Sequence, residues 1–262
     1  MKTIPSFIQM SKKSLGQHWL RDKELLKHIQ NTSSLQSGDT LIEIGPGNGA
    51  LTTYLEKVCT KAQCEQVFLI EKDDNLIKVL RLKFPKYQIL HQDILEVDVQ
   101  DLYSGSPLVI YGNLPYNISV AIIKKLCGYS QLIRTMTFLV QKEVGDRLVA
   151  TQGKNYSPLS IYIQLYFEVQ VVRTVPPEAF VPAPKVHSSL LKLLPKHSSL
   201  VPLITDMVLF QKVLQLAFMQ RRKKLRNTLG RYYNLQNLDP DLRPEQISLQ
   251  DWINLVNNLK LI

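Results

Sequence analysis

Cysteine is scarce in this sequence, with three residues among 262. An odd number this small, without the spacing of metal ligands, excludes a cysteine-bound metal and fits thiols that are kept reduced in the cytosol. The histidines show no ligand spacing either, so we predict no metal site. The three cysteines are Cys59, Cys64 and Cys127.

Long apolar runs are also absent. No stretch reaches the about 18 consecutive apolar residues that a membrane-spanning helix needs. Near its start the chain carries Lys12 and Lys13 but no apolar signal-peptide core. We therefore expect neither secretion nor a membrane partner, and we predict a cytoplasmic protein.

Acidic residues are fewer than basic ones. The sequence has 22 Asp and Glu against 32 Lys and Arg, which gives a net charge of +10 and a pI near 9.4. Such an excess favours polyanionic partners, with nucleic acid ahead of an anionic membrane surface. The hydrophobic content of 45% supports a substantial core, so we expect one large domain with a smaller appendage.

Short apolar runs alternate with helical patterns through the first two-thirds of the chain. This alternation predicts parallel βα units, with residues 167–175 and 187–194 as an antiparallel edge pair. From about Ser198 the pattern is helical, with a basic helix that ends near Gly230. We predict an α/β catalytic domain over residues 1–197 and a small all-helical domain over residues 198–262. The other predicted strands are Thr40–Ile44, Val67–Ile70, Gln88–Leu90, Leu108–Tyr111 and Met136–Val140.

A glycine-rich turn follows the first predicted strand. Gly45–Gly49 reads G-x-G-x-G and leads into a helix, so its backbone can approach a ligand closely. Glu71 ends the next strand, where nucleotide-binding folds hold a carboxylate for ribose hydroxyls. Asp93 follows the third strand, in position to accept from an adenine amino group, with Ile94 beside the ring. The turn is shorter than the dinucleotide pattern, so S-adenosylmethionine fits better than NAD; a structural turn with solvated strand-end charges is the alternative.

An Asn-Leu-Pro-Tyr turn follows the fourth predicted strand. Pro115 biases Leu114 toward an extended conformation, so we expect the Leu114 carbonyl to point outward. Together with the Asn113 side-chain oxygen, this carbonyl can accept both hydrogens of an adenine N6 and stabilise the charge that methylation develops there. Tyr116 can stack on the base. Phe180 is predicted either to cover the opposite face of the base or to be core packing.

Basic residues concentrate between Asp206 and Asp239, a stretch without any carboxylate. At about 100° per residue, the apolar residues from Leu214 to Leu229 share one helical face and leave the cations beside it. The charge indicates phosphate binding, and a plain solvated face is the alternative. The predicted RNA contacts are Lys12, Lys13, Lys185, Arg221, Arg222, Lys223 and Arg226.

These motifs together resemble the small-subunit ribosomal RNA adenine dimethyltransferase family over essentially the whole chain. The resemblance implies a Rossmann-like class I S-adenosylmethionine-dependent methyltransferase that transfers two methyls to N6 of each of two adjacent adenosines in a hairpin near the small-subunit rRNA 3′ end. It also implies a role in maturation of the immature 30S subunit. The matching segments are Lys12–Gln17, Glu43–Thr52, Gly112–Ser119, Gln141–Val144, Pro184–Val186 and Gln220–Lys223.

The resemblance also implies a set of cofactor contacts. The family usually has Asn followed by Phe where His18 and Trp19 stand, and the imidazole can still donate or accept a hydrogen bond. Ala183 stands where the family commonly has proline. The implied contacts are His18, Leu20, Gly45, Glu71, Asp93 and Asn113, and the glycine turn adds Gly47.

Three other functions stay open. A large-subunit rRNA or DNA adenine methyltransferase would keep the chemistry, but the Lys12–Gln17 segment and the basic helical domain argue against it. A non-catalytic RNA-binding assembly factor would keep the fold, and the intact turn at Asn113–Tyr116 disfavours it. A nicotinamide oxidoreductase is disfavoured by the short glycine turn. We take a monomer as the default state.

Overall fold

The structure, a computed structural model, describes residues 17–196, 200–235 and 238–261. The chain divides into two compact units, of which the first comprises residues 1–145 and 170–195 and the second residues 146–169 and 196–262. Residues 146–169 thus join the second unit in this division. The predicted domain boundary between residues 197 and 198 stays a prediction.

Within these ranges the chain forms eleven β-strands and eight α-helices. The strands are β1 (Trp19–Leu20), β2 (Thr40–Ile44), β3 (Gln66–Glu71), β4 (Gln88–His91), β5 (Leu108–Asn113), β6 (Ile133–Gln141), β7 (Phe167–Val175), β8 (Phe180–Val181), β9 (Ser188–Pro195), β10 (Tyr233–Asn234) and β11 (Lys260–Leu261). The helices are α1 (Lys23–Asn31), α2 (Ala50–Ala62), α3 (Asp74–Lys83), α4 (Ser119–Cys127), α5 (Lys142–Val149), α6 (Pro158–Tyr166), α7 (Met207–Met219) and α8 (Leu249–Asn257).

A seven-stranded sheet carries the fold, with the strand order β4-β3-β2-β5-β6-β9-β7. The strands from β2 to β6 pair in parallel, and β9 pairs antiparallel with β6. This confirms the predicted α/β fold with a mostly parallel sheet and an antiparallel strand toward one edge. The strand order reverses between β2 and β5, and open α/β sheets bind ligands beyond the carboxyl ends of the strands at such a point.

The central strands read as continuous apolar runs because they are buried on both faces. All five residues of β2 and the first five residues of β5 are buried. Leu55 of α2 and Leu25 of α1 pack into the same core cluster as Leu69 of β3. Burying one such leucine contributes about 1.5–3 kcal/mol. The hydrophobic core therefore holds the strand ends in fixed positions.

The pair formed by β1 and β8 was missed by the sequence analysis. The two strands are antiparallel, with Trp19 opposite Val181 and Leu20 opposite Phe180. Each strand has only two residues, so neither produces a readable alternation. The pair joins the segment before α1 to the proline-rich segment after β7.

The prediction of one basic helix ending near Gly230 is wrong. Helix α7 ends at Met219, and two short 3-10 turns follow at Leu225–Asn227 and Leu229–Arg231. The reason is a tertiary one: the Leu225 and Arg226 N–H groups donate to the carbonyls of Leu242 and Pro240, at 2.8 and 2.9 Å, instead of to the preceding turn. The final helix predicted from about Leu249 is confirmed as α8.

The second unit has its own hydrophobic core. Helices α6, α7 and α8 contribute Ile161, Phe210 and Trp252 to one buried cluster. Leu225 and Leu229 are also buried in this cluster, so these two residues of the predicted apolar face pack in the core although the helix ends before them. Among the residues that the structure describes, no helix combines the length and the apolar composition needed to cross a membrane.

The expectation of three reduced cysteines is wrong for two of them. Cys59 and Cys64 form a disulfide, with their Cα atoms 5.1 Å apart, and Cys127 is a buried free thiol. The local backbone brings the pair together. Gln63 adopts a left-handed conformation with φ of 53° and reverses the chain, and Cys64 N–H donates to the Cys59 carbonyl at 3.1 Å. A spacing of five residues across a helix end gave no sign of this in the sequence.

Candidate active site

A cavity of about 250 Å³ lies at the carboxyl ends of β2, β3 and β5 in the first unit. It is the position at which an α/β sheet of this order is expected to hold its ligands. Leu20 and Phe180 do not line this cavity. The predicted site residues that do line it are His18, Gly45, Gly47, Glu71, Asp93, Ile94, Asn113, Leu114 and Tyr116.

The glycine turn, Gly45–Gly49, connects β2 to α2 and requires glycine for two separate reasons. Gly47 has φ of +60°, and a Cβ there would make ordinary contact with the Trp19 ring at 3.4 Å, so the backbone conformation alone favours glycine at this position. Gly49 has φ of +82°, and a Cβ there would come within 2.5 Å of the Phe84 ring. Both positions are strained for other residues, so the turn keeps its backbone close to the cavity.

Glu71 fastens the end of β3 to the glycine turn. Its Oε2 accepts from the Gly47 N–H at 3.1 Å, and its Oε1 accepts from the N–H groups of Lys72 and Asp73, both at 2.9 Å. Burial raises the pKa of Glu71 above its ordinary value of 4.5, while these three donors lower it. The carboxyl group is therefore held in place by backbone alone.

Glu43 is a second buried carboxyl group, on β2. It is 1% exposed, and among the described residues its Oε2 has no hydrogen-bond partner. The pKa of Glu43 is raised to about 8, mainly by burial; Thr52 opposes the rise and the nearby Glu71 adds to it. Glu43 therefore carries a proton at neutral pH. The sequence analysis did not single it out, although an acidic residue inside an apolar strand was a usable signal.

Asp93 is engaged at both of its carboxylate oxygens. Oδ1 accepts from the Leu95 N–H at 2.9 Å, and Oδ2 receives Nζ of Lys72 at 2.7 Å. The ion pair with Lys72 holds the pKa of Asp93 below its usual range. Lys72 lines the cavity as well. The sequence analysis missed it, because a lysine after a strand-end glutamate gives no signal by itself.

Asn113 has its side-chain orientation fixed by one hydrogen bond. Its Nδ2 donates to the His18 carbonyl at 2.6 Å, which leaves Oδ1 as the acceptor in the cavity. Leu114 is buried, and its N–H donates to the Leu139 carbonyl at 3.1 Å. Within the described part of the chain, no donor bonds to the Leu114 carbonyl. Asn113 and Leu114, which carry two uncharged acceptor oxygens, thus both line the cavity.

Tyr116 is held by contacts on its hydroxyl and on its ring. The hydroxyl bonds with the Ser188 hydroxyl at 2.6 Å, and the ring stacks on His18 with centroids 5.4 Å apart and planes at 26°. His18 in turn bonds through Nδ1 to the Pro182 carbonyl at 2.8 Å. Burial raises the pKa of Tyr116, so its phenol is neutral at physiological pH. The sequence analysis missed Ser188.

Phe180 and Leu20 lie in the hydrophobic core of the first unit. They are 2% and 5% exposed, and they face each other in the β1–β8 pair. The structure thus agrees with the core-packing alternative for Phe180. A base contact by Phe180 and a cofactor contact at Leu20 stay predictions.

The predicted RNA contacts fall into paired and unpaired cations. Arg221 Nε lies 3.4 Å from Glu245 Oε2, and Arg226 Nη1 lies 2.7 Å from Asp241 Oδ1. Arg222 and Lys223 are exposed and, among the described residues, have no carboxylate partner. Lys185 is also exposed, in the first unit. Lys12 and Lys13 lie outside the described residues.

The residues present fit an adenosyl cofactor. Two carboxyl groups end or follow successive strands, Ile94 adds a buried apolar side chain, and the glycine at position 47 leaves backbone facing the cavity. Among the described residues, no group of three or more His, Cys, Asp or Glu is arranged to hold a metal ion. The fold and this donor set define a class I methyltransferase that depends on S-adenosyl-L-methionine.

The chain belongs to the ribosomal RNA adenine dimethylase family, whose profile matches residues 8–259. It is 39% identical over 261 residues to ribosomal RNA small subunit methyltransferase A of Xanthomonas campestris pv. campestris (strain B100), covering 96% of this chain and 97% of that protein. The protein of the same name from Francisella tularensis subsp. novicida (strain U112) is 36% identical over 262 residues, covering 95% and 97%. These matches confirm the predicted family.

Two solved structures share the fold. A dimethyladenosine transferase from Plasmodium falciparum superposes with a TM-score of 0.73 at 24% identity, over 91% of this chain and 96% of that one. The 23S rRNA methyltransferase ErmE gives a TM-score of 0.70 at 23% identity, over 92% and 99%. At these identities the likeness concerns the fold alone.

Proposed function

We propose that this protein transfers methyl groups from S-adenosyl-L-methionine to N6 of two adjacent adenosines, dimethylating each, in the 3′-terminal hairpin of small-subunit (16S) rRNA. One observation carries the proposal. The bond from Asn113 Nδ2 to the His18 carbonyl fixes the Asn113 side chain with Oδ1 as its acceptor, and Asn113 lines the cavity together with Leu114. Two uncharged acceptors at one turn suit a primary amine, which has two hydrogens to donate.

These acceptors account for the reactivity of a poor nucleophile. When bound, S-adenosyl-L-methionine supplies a methyl group activated by a sulfonium centre. In the first transfer, Asn113 Oδ1 and the Leu114 carbonyl hold both N6 hydrogens, which favours a pyramidal nitrogen and stabilises the positive charge that develops as the N–CH3 bond forms and the S–CH3 bond breaks. The methylated nitrogen then releases a proton to water, and in the second transfer its remaining hydrogen is held by one of the two oxygens. Fixed orientation of the amine lowers the barrier further. Tyr116 stacks on the extruded base, and its neutral phenol does not act as a base.

The carboxyl groups of the cavity hold the cofactor. Glu71 accepts from the ribose hydroxyls and Asp93 accepts from the adenine amino group, with Ile94 against the ring. Both carboxyl groups are fixed by backbone N–H donors, so little orientational freedom is lost on binding. The other cofactor contacts that we propose are His18, Gly45, Gly47 and Asn113.

The basic segment, residues 220–231, binds RNA phosphates in this proposal. Arg222 and Lys223 are its principal contacts, because both are exposed and, among the described residues, neither is neutralised by a carboxylate. Arg221 and Arg226 contribute less, since each already has an ionic partner. Lys12, Lys13 and Lys185 extend the contact. We propose residues 1–197 as the catalytic domain and residues 198–262 as the RNA-binding domain.

The proposed substrate is a hairpin of the small-subunit rRNA in the immature 30S subunit. Adenosines in a hairpin loop leave their stack at less cost than those in a duplex, so a loop suits a cavity that must receive the base. We propose a role in small-subunit maturation, a cytoplasmic location with the assembling ribosomes, and a monomeric enzyme.

Methyl mapping tests the proposed function. Unmethylated small subunits are incubated with the protein and isotopically labelled S-adenosyl-L-methionine, and the labelled nucleosides are located by mass spectrometry. We expect label only at N6 of two adjacent adenosines near the 3′ end. Large subunits and duplex DNA serve as controls. Label confined to a control, or to atoms other than adenine N6, would overturn the proposal.

A further inference from the structure

Lys72 forms an ion pair with Asp93, the residue proposed to accept a hydrogen bond from the adenine amino group of the cofactor. Its Nζ lies 2.7 Å from Oδ2 of Asp93, and both side chains line the cavity. The other oxygen, Oδ1, already accepts the Leu95 N–H at 2.9 Å. Both oxygens of Asp93 are therefore hydrogen-bonded before a ligand arrives, and the partner of Oδ2 is a side chain that a ligand can displace.

Lys72 has a more exposed environment than its partner. The Lys72 side chain is 59% exposed, whereas that of Asp93 is 16% exposed. The lysine can leave and be solvated by water at little cost, while Asp93 stays fixed through Leu95. The pair is thus built so that only one member moves.

We propose that Lys72 is a latch on the adenine subsite, which competes with the cofactor amino group for Asp93 and so weakens cofactor binding. This inference rests on the proposed function, because it takes Asp93 as the adenine acceptor. Lys72 affects specificity in this account, because a ligand with a 6-amino group must displace the lysine from Asp93, whereas a ligand without that group leaves the ion pair in place.

The expected effect is small and depends on salt. An ion pair with one highly exposed partner is screened by water and by salt, so its loss should tighten binding by about two- to fivefold at low ionic strength. At about 1 M salt, where the Debye length is about 3 Å, the difference should nearly vanish.

The test measures binding of S-adenosylhomocysteine by titration calorimetry, for the full-length wild type and for Lys72→Met. The matched control is Lys125→Met, since Lys125 Nζ donates to the Leu95 carbonyl at 2.8 Å and not to Asp93. This control removes the same charge nearby but leaves the latch. A second ligand carries hydrogen in place of the 6-amino group.

The latch requires three results together. Lys72→Met must bind S-adenosylhomocysteine more tightly than the wild type and than Lys125→Met, and the gain must fade with salt. With the 6-deamino ligand the gain must be smaller or absent, because that ligand has no amino group with which to compete against Lys72 for Asp93. Equal affinities for the wild type and Lys72→Met would overturn the latch while leaving the proposed function standing. If neither protein bound S-adenosylhomocysteine, the proposed function would be overturned and the latch with it.

Discussion

The cavity in the first unit and the basic segment in the second unit hold their functional side chains in opposite ways. In the cavity, Glu71 and Asn113 are tied to backbone atoms, through bonds to Gly47 and His18 respectively. In the basic segment, Arg222 and Lys223 extend from short turns and have no carboxylate partner in the described part of the chain. Fixed groups suit catalysis, which depends on precise geometry. Exposed cations suit the binding of RNA phosphates, because many different positions of the phosphate satisfy the same charge.

This difference predicts how the two regions respond to substitution. Removing a fixed group from the cavity leaves a gap that nothing else fills, so a single change should have a large effect. Removing one cation from the basic segment leaves several others, so the effect should be graded.

Asn113→Ala should lower the methyl-transfer rate by about 10²- to 10³-fold, the usual result of removing one fixed dipole that stabilises developing charge. Single-turnover rates with unmethylated small subunits would measure it. A thermal melt of the variant serves as the fold control. A rate within about threefold of the wild type would contradict the role assigned to Asn113.

Glu71→Gln should weaken cofactor binding by roughly 10- to 100-fold, since hydrogen bonds to a charged group contribute about 1.5–3 kcal/mol. The neutral amide can still accept from Gly47, so the turn should persist. Calorimetric titration with S-adenosylhomocysteine would measure the loss. Unaltered affinity together with slower transfer would assign Glu71 to the reaction rather than to the cofactor.

Glu43→Gln should change the pH dependence of stability. The pKa of Glu43 is about 8 in the folded protein against an ordinary 4.5, so the folded state holds a proton that the unfolded chain releases. This contribution is complete below about pH 4.5 and is lost as the pH rises through about 8. Relative to the variant, the wild type should lose about 2 kcal/mol of unfolding free energy between about pH 6 and pH 7.5. Urea unfolding at both pH values would measure it, and parallel pH profiles would refute a protonated Glu43.

Replacing Arg222 and Lys223 together by alanine should weaken RNA binding several-fold and lower the slope of log affinity against log salt by about 1.5. The matched control is the Arg221→Ala, Arg226→Ala double variant, whose cations are already ion-paired and should change the slope less. Filter binding of a 3′-terminal hairpin over a range of salt would measure both. Equal slopes for the two variants would remove the distinction between paired and unpaired cations.

The regular parts of the fold were predictable because their signals are local. The buried strands β2, β3 and β5 are continuous apolar runs, and the turn at Gly45–Gly49 is marked by its glycines, so the cavity could be located from the sequence. The side chains that surround the cavity were harder to predict. Lys72 reaches Asp93 only because β3 and β4 are adjacent, and Ser188 reaches Tyr116 across 72 residues of chain.

The errors have the same origin. Helix α7 ends at Met219, and the backbone at Leu225 and Arg226 bonds to Leu242 and Pro240, partners that helical periodicity does not reveal. The Cys59–Cys64 pair depends on one left-handed residue, Gln63, at a helix end. Long-range backbone hydrogen bonds lie outside the window in which hydrophobic periodicity is read, and a single left-handed residue leaves no mark on that periodicity.

The central claim is that two uncharged oxygens hold the target amine. A crystal structure of the protein with sinefungin and adenosine would test it most directly. We expect adenosine N6 to lie about 2.7–3.2 Å from both Asn113 Oδ1 and the Leu114 carbonyl oxygen, with the base against Tyr116. An adenosine bound with its N6 away from these two oxygens, or with Asn113 Nδ2 turned toward the amine, would contradict the account.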